Sequence, residues 1–194
     1  MRGFTLIEIL ITGGLALLCI TIMLAMFVPS VMLHRQQSGV AEAQQSANLA
    51  LYRLRSGILS SLPETVSVAN SGQAISWRRG DPDTPFNTQG GRNFVNSFDV
   101  YAWDSAQQEL RFTPWSPAGF DFSLIGALPA AQFPAVMTQN TRVVARNVVQ
   151  FQVTHPLTFP LQVQITISPP THRGKRPSWT FKQSIMPTSG LLPE

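Results

Sequence analysis

The sequence contains little cysteine and little charge. Its 194 residues include one cysteine, Cys19, so the chain can form no internal disulfide and offers no cysteine set for a metal. Only 12% of the residues are charged. The three histidines, His34, His155 and His172, are scattered, and none is paired with Cys, Asp or Glu at metal-ligand spacing. These absences argue against a metal centre and leave stability to an apolar core.

Signals of catalysis are also missing. There is no G-x-S-x-G stretch, no glycine-rich loop of the phosphate-binding kind and no paired-carboxylate site. We therefore expect no enzyme, no catalytic residue and no cofactor. The composition is otherwise that of a globular protein, with 44% apolar residues, 15 prolines and 13 glycines. The net charge of +4 is thinly spread and does not by itself indicate a nucleic-acid partner.

The most distinctive feature is an uncharged apolar run of 20 residues from Ile9 to Val28. At about 1.5 Å per residue, this run is long enough to cross a hydrocarbon core of about 30 Å. Glu8 directly precedes it, and a carboxylate at the edge of such a segment is costly and marks a functional site. A secretory signal peptide would be shorter and followed by a small-residue cleavage site, and a plain membrane anchor does not need Glu8.

The stretch GFTLIE, from Gly3 to Glu8, resembles the recognition motif of type IV prepilins and type II secretion pseudopilins. The resemblance implies that a prepilin peptidase cleaves between Gly3 and Phe4 and methylates the new amino terminus of Phe4. It implies a leader at 1–3 and a transmembrane and assembly helix at 4–33. It also implies a protein of the bacterial inner membrane, with its C-terminal head in the periplasm or on the cell surface and with other pilins or pseudopilins as partners.

The resemblance also predicts a role for Glu8. In a bundle of staggered subunits, Glu8 of one chain would meet the Phe4 amine of a neighbour, because a buried charge is tolerated when it is paired. The alternative is a carboxylate that reaches the membrane interface or stays protonated. Gly13, Gly14 and Pro29 interrupt the helical pattern, and they indicate either partial unwinding on assembly or close packing against another helix.

The next segment, 34–62, is predicted to be an amphipathic helical stalk that ends before Pro63. Beyond it the apolar pattern changes to a period of two, which predicts a β-rich head at 63–194. The apolar stripe of the stalk recurs at steps of three and four residues: Val40, Ala43, Ala47, Leu51, Leu54, Ile58 and Leu62.

Seven strands are predicted in the head, with long loops at 80–93 and 115–141. The predicted fold class is α+β, a long N-terminal transmembrane helix whose amphipathic extension packs on an antiparallel β-sheet head, as in pilins. The chain length and the order of the last strands are similar to those of J-type pseudopilins and minor pilins. The predicted strands are 65–69, 74–78, 98–103, 109–113, 147–154, 161–168 and 178–185, the first two and the next two forming hairpins.

The most basic stretch is HRGKRPSW at 172–179. Its Arg173, Lys175 and Arg176 could hold a phosphate backbone while Trp179 stacks on a base, which would suit a pilin used in DNA uptake. The alternative is a solvated turn whose charges protect a sheet edge.

Asp81 and Asp83 stand two residues apart in a glycine-rich segment. Alternating carboxylates can begin a calcium loop, but no third acidic ligand follows at the required spacing. A surface turn is the favoured interpretation.

Two functions remain open from the sequence. The first is a structural subunit, a minor pilin or pseudopilin, in a type IV pilus, a type II secretion system or a competence apparatus. The second is an unprocessed single-pass membrane protein whose basic head captures DNA or a protein partner. The Gly3–Phe4 junction followed by Glu8 favours the first, because a plain anchor needs neither.

Overall fold

The computed structural model describes residues 5–81, 83–86, 88, 93–123, 125–133, 141–154, 160–168 and 178–186, with the side chains of 35 and 36 excepted. The chain divides into two compact units, Met1–Ala41 and Glu42–Glu194. Over its described residues after Thr5, the N-terminal unit is helical throughout. The C-terminal unit, Glu42–Glu194, contains the end of the same helix and every described strand.

One continuous helix, α1, extends from Leu6 to Leu59 and passes through Pro29 without a break. It ends three residues before the predicted end at Leu62. The helical hydrogen-bond pattern is lost at Ser61, whose backbone N–H and hydroxyl both donate to the Ile58 carbonyl, at 3.1 and 2.7 Å. Pro63 then opens a short 3-10 helix, Pro63–Thr65.

The described strands form two antiparallel sheets. The five-stranded sheet has the order β1-β2-β3-β4-β5 and the three-stranded sheet the order β6-β7-β8. Both predicted hairpins are confirmed, as is an antiparallel set near the carboxyl end. The strands are β1 (Ser67–Ala69), β2 (Ala74–Gly80), β3 (Phe94–Asp104), β4 (Glu109–Trp115), β5 (Arg142–Arg146), β6 (Val148–Thr154), β7 (Leu161–Ile167) and β8 (Trp179–Ile185).

β5 was not predicted. It directly follows the long predicted loop at 115–141, and it pairs with β4 across an irregular register between Leu110 and Arg111. Asn147, at a positive φ of 59°, separates β5 from β6 and allows the chain to leave one sheet and enter the other.

The main core of the C-terminal unit lies between α1 and residues of both sheets. Alanines at positions 43, 47 and 50 line the helix there and have almost no exposed surface, because small side chains permit a close approach. Larger side chains then fill the space. They include Leu54 and Ile58 of α1, Trp77 and Tyr101 of the five-stranded sheet, and Phe151, Leu161, Ile165 and Ile167 of the three-stranded sheet.

A second core covers the other face of the five-stranded sheet. Phe98 and Val100 of β3 point to this face, and the connection after β4 folds over them. Phe120 stands edge-on to Phe98 at a centroid distance of 5.0 Å, and Leu128 is almost wholly buried. Part of the predicted loop at 115–141 is therefore a structural cover for the sheet.

Candidate functional site

The apolar part of α1 is exposed along its length. Its large apolar side chains from Leu6 to Val28 are between 46% and 79% exposed. By length and composition, this is a helix that could cross a membrane. The coarse prediction of a long apolar N-terminal helix followed by an antiparallel β region is thus confirmed.

Glu8 is held at the beginning of α1 by Thr5. Glu8 Oε2 accepts hydrogen bonds from the Thr5 backbone N–H and from the Thr5 hydroxyl, each at 2.9 Å. The Glu8 N–H in turn donates to the Thr5 carbonyl at 3.1 Å. This is the glutamate half of a capping box, in which a residue at the third helical position satisfies the N–H that precedes the helix. The carboxylate therefore already has donors within its own chain.

Thr5 is a functional candidate that the sequence prediction missed. Its signal was available, since T-x-x-E directly before an apolar run is the pattern of a helix start. The motif GFTLIE contains this pattern, so the same glutamate serves a local role and is a candidate for an intermolecular one.

Hydroxyl groups farther along the apolar segment are also satisfied locally. Thr12 donates to the Glu8 carbonyl at 2.6 Å, Thr21 to the Leu17 carbonyl at 2.8 Å, and Ser30 to the Phe27 carbonyl at 2.8 Å. Such bonds to carbonyls three or four residues back hide polar groups from an apolar environment.

The glycines of this segment leave open space. A Cβ atom on Gly13 or Gly14 would meet no atom within 4 Å, so no described neighbour requires a glycine at either position. Pro29 likewise stands inside a regular helix. Partial unwinding at these residues and close packing against another helix both stay predictions.

Several residues predicted to act lie outside the described part of the chain. They are Gly3 and Phe4 at the processing junction and Arg173, Lys175 and Arg176 of the basic stretch. Trp179 is described. It is the first residue of β8, it is half-buried, and it packs against the main core.

Asp81 forms a local turn. Its Oδ1 accepts from the Asp83 N–H at 2.9 Å and its Oδ2 from the Thr84 hydroxyl at 2.7 Å. These bonds hold the pKa of Asp81 below its ordinary value. Within the described ranges, no group of three His, Cys, Asp or Glu side chains could hold a metal ion.

Four charged side chains of the five-stranded sheet lie close together near the β3–β4 turn: Asp104, Glu109, Arg111 and Arg146. Glu109 accepts from Arg111 at 3.0 Å and lies 3.6 Å from Arg146. Asp104 Oδ1 caps the turn by accepting the N–H groups of Ala106 and Gln107. These contacts stabilise the β3–β4 hairpin and hold the edge strand β5 against it, so we assign these charges a structural role.

Comparison with known proteins adds no identification. No protein-family model matches the chain, and no curated protein or solved structure matches it significantly. Any statement of function therefore depends on the residues themselves.

Proposed function

We propose that the chain is a minor pilin or pseudopilin, a structural subunit of a type IV pilus-like filament or of the complex that primes one. The observation that carries the proposal is Glu8, a single carboxylate at the edge of an exposed apolar helix, within the stretch Gly3 to Glu8 that resembles the prepilin motif. A helix with this much exposed apolar surface must be covered by lipid or by other helices.

The proposed mechanism is assembly. A prepilin peptidase removes residues 1–3, and the amine of Phe4 becomes the first group of the mature chain. Subunits held in the bacterial inner membrane then pack their apolar helices side by side. Glu8 exchanges its local donors on Thr5 for the Phe4 amine of a neighbouring subunit, so that the correct stagger leaves every charge paired. The β-rich C-terminal unit remains outside the cytoplasm.

One observation favours the second function, an unprocessed membrane anchor that presents a binding module. Glu8 already accepts two hydrogen bonds from Thr5 within a single chain. A monomeric anchor could therefore carry Glu8 as a helix cap alone, and the basic stretch with Arg173, Lys175 and Arg176 would then contact DNA or a protein partner.

The test is mass spectrometry of the mature amino terminus, from cells that express the chain with and without a prepilin peptidase. The proposal requires a peptidase-dependent chain that begins at N-methylated Phe4. A Gly3→Ala variant is the matched control, and it should remain uncleaved in both strains. An intact amino terminus in the presence of the peptidase would instead support the anchored binding module.

A further inference from the structure

A buried carboxyl group lies on the face of the five-stranded sheet that packs against α1. Asp99 of β3 is the direct cross-strand partner of Trp77 in β2 and of Pro114 in β4. Direct partners in an antiparallel sheet point to the same face, and so do residues two apart on one strand. Asp99 therefore shares the face of Trp77 and Tyr101, both of which belong to the main core with α1.

Two polar atoms on this face of the sheet, one on Asp99 and one on Trp77, lack hydrogen-bond partners among the described residues. Asp99 is only 8% exposed, and its Oδ1 accepts no hydrogen bond. Trp77 is 1% exposed, and its indole Nε1–H has no acceptor. A buried acceptor without a donor is destabilising, and a buried charge is more so.

The packing between α1 and the five-stranded sheet is tight at Trp77. Gly57 of α1 packs directly on the indole, and a Cβ atom at Gly57 would lie 2.6 Å from Cε2 of that ring. On the sheet side, the Tyr101 ring stacks on Trp77 with a centroid distance of 5.2 Å and an interplanar angle of 16°. The Trp77 indole, next to Asp99 on the neighbouring strand, is therefore packed tightly by Gly57 and by Tyr101.

The charged groups around Asp99 offset only part of the effect of burial on its pKa. Burial raises the pKa of Asp99, and the exposed Arg79 of β2 lowers it by attraction. Burial and the Asp99 carboxylate raise the pKa of the adjacent Tyr101 hydroxyl, whereas Arg53 of α1 and Arg142 of β5 lower it. The neighbour from β4 is Pro114, which carries neither a charge nor an N–H group.

We propose that Asp99 makes the contact between α1 and the five-stranded sheet sensitive to pH. In acid, the uncharged carboxyl group stays buried beside Trp77 and the contact is tight. When Asp99 ionises, the carboxylate draws water in beside Trp77, and α1 is held less firmly at Gly57. The proposal is independent of the proposed function, because it concerns only the C-terminal unit.

The sign of the effect follows from linkage. A carboxyl group whose pKa is raised in the folded state adds stability below its unfolded pKa of about 3.9, and this contribution is lost as pH rises through the folded value. Asn at position 99 cannot ionise. The stability of Asp99→Asn relative to the natural chain should therefore grow with pH above about 4 and level off once Asp99 is ionised.

The experiment is a pH titration of the full chain in detergent, from pH 3 to pH 8, monitored by tryptophan fluorescence and by urea unfolding. We expect a fluorescence change above pH 4 that is lost in Asp99→Asn and in Trp77→Phe. At neutral pH, Asp99→Asn should have a higher urea midpoint than the natural chain. Asp83→Asn is the control, because it removes the same charge from an exposed turn and should leave the titration unchanged.

Arg79→Gln provides a test that does not depend on replacing the buried residue. Removing the attraction of Arg79 should move the fluorescence midpoint to higher pH. A natural chain with no titration, or a titration that persists unchanged in Asp99→Asn, would overturn the proposal. So would a midpoint that is the same in Arg79→Gln.

Discussion

At the scale of single residues, Glu8 has a local role that is observed and an intermolecular role that is proposed. The Thr5 N–H and hydroxyl satisfy Glu8 at the beginning of α1, and the same carboxylate is the proposed partner of a neighbouring amine. The two roles require different chemistry. A helix cap requires only an acceptor at position 8, whereas pairing with an amine requires a negative charge.

This difference leads to a prediction for Glu8→Gln. Glutamine can still accept from Thr5, and glutamine is common at this position of a capping box. We expect the variant to keep the helix start, as judged by amide hydrogen exchange of the first turn, but to lose filament assembly, as measured by sedimentation of sheared filaments.

Thr5→Val is the matched control. It removes the hydroxyl but keeps the charge, and it should weaken the first turn by about 1 kcal/mol while assembly persists. If Glu8→Gln assembles normally and Thr5→Val does not, Glu8 acts as a cap alone.

At the scale of elements, the fit between α1 and the five-stranded sheet depends on Gly57. Glycine in a helix usually costs about 1 kcal/mol relative to alanine. At Gly57, however, a Cβ atom would overlap the Trp77 indole. We therefore predict that Gly57→Ala destabilises the fold by about 1–3 kcal/mol, the usual cost of overpacking, when measured by urea unfolding in detergent.

Gly39→Ala is the control for this prediction, because a Cβ atom there would meet no atom within 4 Å. It should leave stability unchanged or raise it through helix propensity alone. A Gly57→Ala chain that is as stable as Gly39→Ala would show that the helix does not press on Trp77.

Arg78 holds in place the connection after β4, which covers the opposite face of the five-stranded sheet with Phe120, Phe122 and Leu128. This buried side chain of β2 donates to the Phe122 carbonyl at 3.1 Å, and its guanidinium lies 5.3 and 5.4 Å from the ring centroids of Phe94 and Phe122. Hydrogen bonds from charged donors contribute about 1.5–3 kcal/mol, and cation–π contacts about 0.5–2 kcal/mol.

We predict that Arg78→Met preserves the sheet but loosens the segment 116–133. Hydrogen exchange should become faster in that segment, and the free energy of unfolding should fall by about 2 kcal/mol. Arg55→Met, on the exposed surface of α1, should change neither quantity. Unchanged exchange in Arg78→Met would mean that the aromatic contacts alone hold the cover.

Regular periodicity made some elements predictable from sequence and left others hidden. The strands with clean alternation, such as β6 and β7, were predicted to within a residue at each end. β5 is only five residues long and follows a segment without periodicity, so the sequence pattern did not predict it. The cover was hidden for a related reason, since the spacing of two between Phe120 and Phe122 is not continued to Leu128, and the three residues keep no sustained helix or strand period.

The candidate site was predictable only where its chemistry is local. The position of Glu8 before an uncharged run is visible in the sequence, and the cap by Thr5 could have been inferred from T-x-x-E. The burial of Asp99 could not be inferred from the sequence, because it depends on the register of β2 with β3 and on the packing of α1 against the same face of the sheet. Such long-range contacts leave no mark in local spacing.

At the scale of the whole molecule, the two units differ in what their surfaces require. Among the described residues, the N-terminal unit exposes almost every large apolar side chain, whereas the C-terminal unit buries most of its own in two cores. The residues of both cores lie at or after Ala43, so the C-terminal unit has the apolar interior that independent folding requires.

We therefore predict that a chain beginning at residue 34 folds without a membrane or detergent. It should stay in the supernatant after ultracentrifugation, show the circular dichroism of a mixed α and β structure, and unfold in urea in a cooperative transition. The reason is that it keeps both cores and loses the exposed apolar segment. The full chain should pellet with membranes and require detergent. A chain beginning at residue 60 is the informative control, since it lacks the α1 residues that fill the main core and should fail to fold. If the chain from residue 34 aggregates or unfolds without a transition, the C-terminal unit depends on the apolar segment for its stability as well as for its location.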